Sequence, residues 1–174
     1  MLNGARMVKK RDTGKNFENE IRKSLQGSKH IWWFRIQDTN DINRFVKIAV
    51  AEKQPADFFS VYRGRPIMLE AKTSRNLSSF PLYYSNTPAI AKHQISAGLK
   101  LERMGGISLI VIRREEYRNK KCYAISPQQA QALYSNKDNK KSIKWSWFDE
   151  NAYIVERLKA PLRWNLHKLY EQII

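Results

Sequence analysis

The sequence predicts a mixed α/β domain built on one central β-sheet flanked by helices. Three observations carry that expectation. Its 174 residues match a soft prior of about 150 residues per domain. At 42% hydrophobic and 11% aromatic it has the material for a core. Along the chain, apolar residues at helical spacing give way repeatedly to short runs dense in β-branched and aromatic side chains.

Residues 1–15 are poor in apolar groups and rich in Lys, Arg and Gly, and read as a flexible basic arm ahead of one domain over 16–174. A helix is predicted from Asn16 to about Leu25, with Phe17, Ile21 and Leu25 on one face and Gly27 as its stop. Ile31 to Ile36 reads as a strand. Residues 37–54 begin polar and turn mixed, a surface excursion with room for a short helix. Two apolar runs, Asp57 to Tyr62 and Pro66 to Ala71, flank Arg63-Gly64-Arg65, a hairpin signal because Gly64 is free to take positive φ. Asn86-Thr-Pro88 reads as a helix start, with the helix running to Met104 and ending at Gly105-Gly106. Ile107 to Ile112 and Cys122 to Ile125 are strand candidates. Ser126-Pro127 opens a helix to Leu133 or Tyr134, 137–141 is a lysine-rich loop, and a last helix near 162–173 carries Leu162, Leu166, Leu169 and Ile173 as a stripe. The resulting order is α-β-β-β-α-β-β-α.

Composition narrows the function. Lys and Arg number 32 against 16 Asp and Glu, a formal net charge of +16, and such a domain attracts polyanions because every neutralised phosphate releases counterions. No basic amphipathic helix of the membrane-surface kind stands out, and no apolar run approaches the roughly 18 residues of a membrane span. One cysteine, Cys122, excludes an internal disulfide framework and a Cys-rich zinc site. No secretory leader is evident, so a cytoplasmic protein is expected. The phosphate-binding loops of ATP and dinucleotide sites are absent, so no nucleotide cofactor is expected.

The chemistry concentrates in Pro55-Ala-Asp57 and Glu70-Ala-Lys72. On a strand, Glu70 and Lys72 share a face, and Asp57 at the start of the preceding strand can approach Glu70. Two carboxylates at close range favour a divalent cation between them, and oxygen ligands suit Mg2+, with Mn2+ as the alternative. Phosphodiester hydrolysis needs a metal on the scissile phosphate, an acidified water and a cation near the developing charge, the last a role for Lys72. Glu18 on the first helix is a candidate third ligand. The plain alternative is a turn at Asp57 and a solvent-facing Glu70–Lys72 ion pair. Against it, Glu70 lies within Ile67 to Ala71, where an unpartnered carboxylate is costly.

These residues resemble the PD-(D/E)xK nucleases, and among them the RecU Holliday junction resolvases of Gram-positive bacteria and their phages. Gly14-Lys-Asn-Phe-Glu18 is similar to the family's G-x-x-x-E. Asp57 with Tyr62-Arg-Gly64 resembles its D-x-x-G-x-Y-x-G hairpin, with Ser60 in place of the first Gly. Leu69-Glu-Ala-Lys72 followed by Ser79-Phe-Pro-Leu82 resembles F-E-A-K then S-F-P-L. His93-Gln-Ile95, Gly105-Gly-Ile107, Lys141-Ser-Ile143 and Ala160-Pro-Leu-Arg163 follow in family order, so the likeness spans Gly14 to Tyr170. It implies a restriction-endonuclease-like core, with a central mixed β-sheet flanked by helices, and a homodimer that makes paired symmetric nicks in four-way DNA junctions. By the same resemblance Glu18, Asp57 and Glu70 are metal ligands helped by the Ala71 carbonyl, Lys72 is the catalytic lysine and Gln94 a supporting polar group of the catalytic set. Residues 37–54 occupy the place of the family's junction-entering stalk, shorter and more polar here. Arg44, Phe45 and Lys47 are its contact candidates, with a short packing helix as the alternative.

Glu20 competes with Glu18, but i and i+2 lie on different helix faces, so only one is expected to point inward. Trp32 and Trp33 point to opposite faces of a strand, one into the core and the other open to base stacking. Trp145, Trp147 and Phe148 read as packing or a dimer seam. Arg63, Arg65 and Arg75 are candidate DNA-binding residues, with Arg113, Arg114, Lys137, Lys140 and Lys141 weighed beside them as phosphate contacts. Two rival functions remain at this point: a nuclease of the same superfamily acting on another DNA structure, and a non-catalytic DNA-binding accessory protein.

Overall fold

A computed structural model describes residues 13–36, 53–116, 120–135, 140–160 and 163–174. Arg44, Phe45, Lys47 and Leu162, most of the stalk-like stretch 37–54 and residues 1–12 of the basic arm lie outside the described residues. Helix α1 covers Thr13–Gln26, so residues 13–15, assigned to the arm by composition, belong to the helix.

The central sheet has six strands in the order β1-β2-β3-β7-β8-β10, where β1 is Trp32–Arg35, β2 Phe58–Tyr62, β3 Arg65–Ser74, β7 Ile107–Arg114, β8 Lys121–Ile125 and β10 Tyr153–Ile154. β1, β2 and β3 form an antiparallel meander, and β7, β8 and β10 another. The two meet at the parallel pair β3 and β7. The β2–β3 turn is the predicted one. Arg63 and Gly64 both take positive φ, 48° and 77°, as a tight two-residue hairpin turn matched to the strand twist requires.

Alternation along the inner strands divides the core into two layers. Ile67, Leu69, Leu109 and Val111 face α1 and the C-terminal helix α5 (Leu166–Ile173), and meet Phe17, Ile21, Leu25, Leu166 and Tyr170. Ile110, Ile112, Tyr123 and Ile125 face the opposite way, onto α2 (Lys92–Arg103) and α3 (Pro127–Ser135). α2 stops as predicted. Gly105 at φ 86° lets its N–H reach Glu102 O and the Gly106 N–H reach Leu101 O, both at 3.0 Å, the paired bonds of a glycine-terminated helix. Ser126 and Gln129 cap α3 reciprocally, at 2.9 and 3.2 Å.

Two expectations are corrected. Asn86-Thr-Pro88 does not open a helix. Tyr83–Tyr84 (β5) and Thr87–Pro88 (β6) form a small hairpin, and α2 begins only at Lys92. A polar residue before Pro suits a turn as well as a helix cap, and here Ser85 at φ 55° supplies the turn. Trp145 and Phe148 are packing residues, as one of their two readings had it: they sit on Phe80, itself held by pairing of β4 (Ser79–Pro81) with β9 (Ser142–Lys144), and the stretch folds as a short helix, α4 (Trp145–Asn151). The last helix starts at Leu166, where the Asn165 side chain accepts the Lys168 N–H. No helix among the described residues is long and apolar enough to cross a membrane.

Candidate active site

Strand pairing brings the carboxylates together. Phe58 lies opposite Leu69 in the antiparallel β2–β3 ladder, and the Asp57 N–H donates to Leu69 O at 3.1 Å. That bond is one residue out of the β2–β3 register, so β2 begins at Phe58 and Asp57 stands at its foot, close enough for its charge to act on Glu70. Lys72, two residues on from Glu70 in β3, shares its face. That face is the one covered by α2. The Ala71 N–H donates to Asp57 Oδ2 at 2.8 Å, fixing one carboxylate oxygen.

Glu70 is 5% exposed. Its Oε1 sits 2.7 Å from Lys72 Nζ, while Oε2 is buried without a hydrogen-bond partner. The pair is therefore not the solvent-facing ion pair of the plain alternative. Burial and the nearby charge of Asp57 push the Glu70 carboxyl up to about 7, against the pull of Lys72 and of the Gln94 side chain. Burial likewise raises Asp57, opposed by the Ala71 N–H and by the charges of Lys72 and Arg35. Gln94 belongs to the first turn of α2, and its Oε1 accepts the Ala91 N–H at 3.0 Å, which holds the side chain over the sheet.

Buried oxygen, negative charge and an orphaned acceptor are what a hard divalent cation requires. The residues fit such an ion: Asp57 and Glu70 offer carboxylates, and an Ala71 carbonyl is beside them in the chain. Glu18 is not brought to this pair. Its Oε2 lies 2.5 Å from Arg35, and among the described residues no group of three or more His, Cys, Asp or Glu side chains gathers for a metal. Glu20 turns the other way and accepts from Arg113 at 2.7 Å and from Trp164 Nε1 at 3.1 Å. Sequence reasoning missed Arg35, whose guanidinium holds Glu18 and acts electrostatically on Asp57. Its one signal was a cation ending an otherwise apolar strand that follows the Glu18-bearing helix.

The basic candidates separate. Arg63 and Arg65 lie at the β2–β3 turn, on the order of 15 Å from Asp57 at about 3.3 Å per residue, so the hairpin carries them away from the carboxylates. Arg63 instead covers the Tyr62 ring and faces Glu171 at 3.4 Å. Arg75 follows directly on β3 beyond Lys72 and is exposed. Arg113 is fully buried between Glu20 and Glu115, at 2.7 and 2.8 Å, and so is a core ion pair rather than a phosphate contact. Trp32 is 62% exposed and Trp33 packs on the core, as alternation required.

A model of the RecU family, Recombination protein U, matches residues 13–168 of this chain. The Holliday junction resolvase RecU of Pediococcus pentosaceus is 33% identical over 108 residues, which cover 61% of this chain and 50% of that protein. The Holliday junction resolvase RecU of Shouchella clausii is 31% identical over 111 residues, covering 64% of this chain and 47% of that protein. The chain thus spans about half the length of these curated relatives. Among solved structures, Archaeoglobus fulgidus Hjc, a Holliday junction resolvase from an archaeal hyperthermophile, superposes with a TM-score of 0.51 at 14% identity, over 81% of this chain and 95% of that one. That likeness is one of fold, and the fold is restriction-endonuclease-like.

Proposed function

The chain belongs to the RecU family, and from that premise we propose that it is a divalent-metal-dependent endonuclease that resolves four-way DNA junctions. The observation that carries the reading is the buried Asp57–Glu70 pair beside Lys72, with one Glu70 oxygen left without a partner. A DNA-binding module gains nothing from buried carboxylates where phosphates approach, since the repulsion weakens binding.

In this reading Asp57 and Glu70 hold Mg2+ or Mn2+, with the Ala71 carbonyl as a neutral third oxygen. When bound, the cation supplies positive charge at the scissile phosphate and acidifies water. Lys72 keeps its ammonium beside the site through Glu70 and offers positive charge to phosphate oxygens as they gain charge in the transition state. Gln94, held by the Ala91 N–H, positions the Glu70 carboxylate. Glu18 acts one step away, by keeping Arg35 against the Asp57 side of the site. Arg75, next to this face, is the basic candidate best placed for a phosphate, while Arg44 and Lys47 retain the junction-contact role that their segment suggests. Paired nicks on opposed strands need two such sites, which a homodimer supplies.

The test is cleavage of an end-labelled four-way junction beside a linear duplex of the same sequence, in Mg2+ and in EDTA, with Glu70→Ala as control. Symmetric nicks on the junction alone, lost in EDTA and in the variant, support the reading. Cleavage of both DNAs keeps the nuclease and discards the junction preference. Tight binding without cleavage of either moves the protein to the accessory class.

A further inference from the structure

The β5–β6 hairpin is built to be rigid and yet presents aromatic surface. The Tyr134 hydroxyl donates to Leu82 O at 3.0 Å and accepts the Ile90 N–H at 2.9 Å, so one side chain from α3 clamps both ends of the hairpin. The Ala89 N–H closes the base onto Leu82 O at 2.8 Å, and the Leu82 N–H reaches Lys141 O at 2.9 Å. Between these anchors Tyr83 and Tyr84 are 40% and 52% exposed. Two half-exposed tyrosines on a fixed turn cost little further entropy when a flat group stacks on them.

The hairpin adjoins the candidate active site. The Tyr84 hydroxyl donates to Thr73 O at 3.3 Å and also meets the Ser74 side chain. Thr73 follows Lys72 in β3, and Ser74 shares a face with Glu70 and Lys72. Behind the hairpin a cavity of about 530 Å³ is lined by Tyr83, Ser85, Asn86, Tyr134, Lys140 and Lys141. That is a ligand-sized space with aromatic walls, small polar groups and two lysines, on a chain of net charge +16. Aromatic faces beside cations that track a backbone are how proteins hold unpaired nucleotides.

We infer that the β5–β6 hairpin and its Lys140–Lys141 wall hold an unstacked nucleotide of the DNA strand being cut, with its base on Tyr83 or Tyr84 and its phosphates at the lysines. The inference rests on the nuclease reading above and adds a strand-positioning surface to it. It assigns these tyrosines to positioning, not to bond breaking.

The probe is an oligonucleotide with one 2-aminopurine, presented as a single strand and as an unpaired position beside the cut site of a four-way junction. Binding by the full chain is read in EDTA as fluorescence and as affinity against salt. Tyr83→Ala with Tyr84→Ala should abolish the stacking quench and weaken binding about 10-fold or more, with the salt slope unchanged. Tyr83→Phe with Tyr84→Phe should restore both. Lys140→Ala with Lys141→Ala should reduce the slope of log affinity against log salt by about two. Wild-type protein that binds without quenching the probe overturns the inference, whether or not the variants fold. So does wild-type affinity in the double alanine variant, including the case where only its oligomeric mass changes and the face is a contact between copies. If the wild type neither binds nor cuts any DNA in Mg2+, the nuclease reading itself falls; intact cleavage with indifferent tyrosines removes only the hairpin's role.

Discussion

Replacing Glu70 with Gln should trade function for stability in a pH-dependent way. An ordinary glutamate titrates at 4.5, and Glu70 is pushed up to about 7 in the fold, first by burial and then by Asp57. Between those values the native state keeps a proton that the unfolded state has lost, so stability falls as pH rises across the window. At 1.36 kcal/mol per pH unit the difference amounts to roughly 3 kcal/mol between pH 4.5 and pH 8. The Gln side chain stays neutral throughout and its amide oxygen can still accept from Lys72, so the variant lacks that slope. The assay is urea unfolding of both proteins in EDTA at a series of pH values from 4.5 to 8. The account predicts that the gap between the two curves moves in favour of Glu70→Gln by about 3 kcal/mol as pH rises. Adding Mg2+ should raise the wild type at pH 8 and leave the variant where it was, because a ligand that binds only the native state stabilises it. Parallel profiles in EDTA would refute the reasoning, since they would mean that ionising Glu70 carries no cost in the fold.

Further outcomes follow from other contacts. Lys72→Ala should lower cleavage by roughly 100-fold or more while junction binding in EDTA is kept, and it should push Glu70 higher still, because Lys72 holds that carboxyl down; single-turnover rates and a pH titration of Mg2+ affinity check both. Ser60, which stands where the family's motif has Gly, shares a 2.9 Å hydrogen bond with the buried Tyr170 hydroxyl. Ser60→Ala and Tyr170→Phe should each cost about 1 kcal/mol, and the double variant should cost less than their sum in denaturant melts. Arg113→Ala leaves Glu20 and Glu115 without their buried partner and should cost roughly 3–5 kcal/mol, without altering the salt dependence of DNA binding.

How far the sequence revealed this molecule depended on the range of the forces involved. The β2–β3 hairpin was legible because Gly64 and period-two alternation are local signals, and they place Glu70 and Lys72 on one face with Asp57 at the foot of the neighbouring strand. The end of α2 was legible in Gly105-Gly106 for the same reason. The Asn86-Thr-Pro88 turn was not, because what decides it is the Tyr134 hydroxyl, 44 residues from Ile90 and 52 from Leu82. The helix from Trp145 was hidden likewise, since only packing on Phe80 distinguishes it from a loop. Helix periodicity put Glu18 and Glu20 on different faces but could not show that Arg35 takes the Glu18 carboxylate. Charge counting named Arg63, Arg65 and Arg113 alike. Only three dimensions carry the first two to the far end of the hairpin and bury the third.

The central claim is that the buried Asp57–Glu70 pair is a cation site, and Mn2+ titration followed by electron spin resonance and calorimetry tests it most directly. The account predicts saturable binding to the full chain at pH 8, weakening as pH falls below 7 with proton release on binding, and lost when Asp57→Asn and Glu70→Gln are combined. Binding of unchanged affinity in that double variant, or none in the wild type, would contradict it.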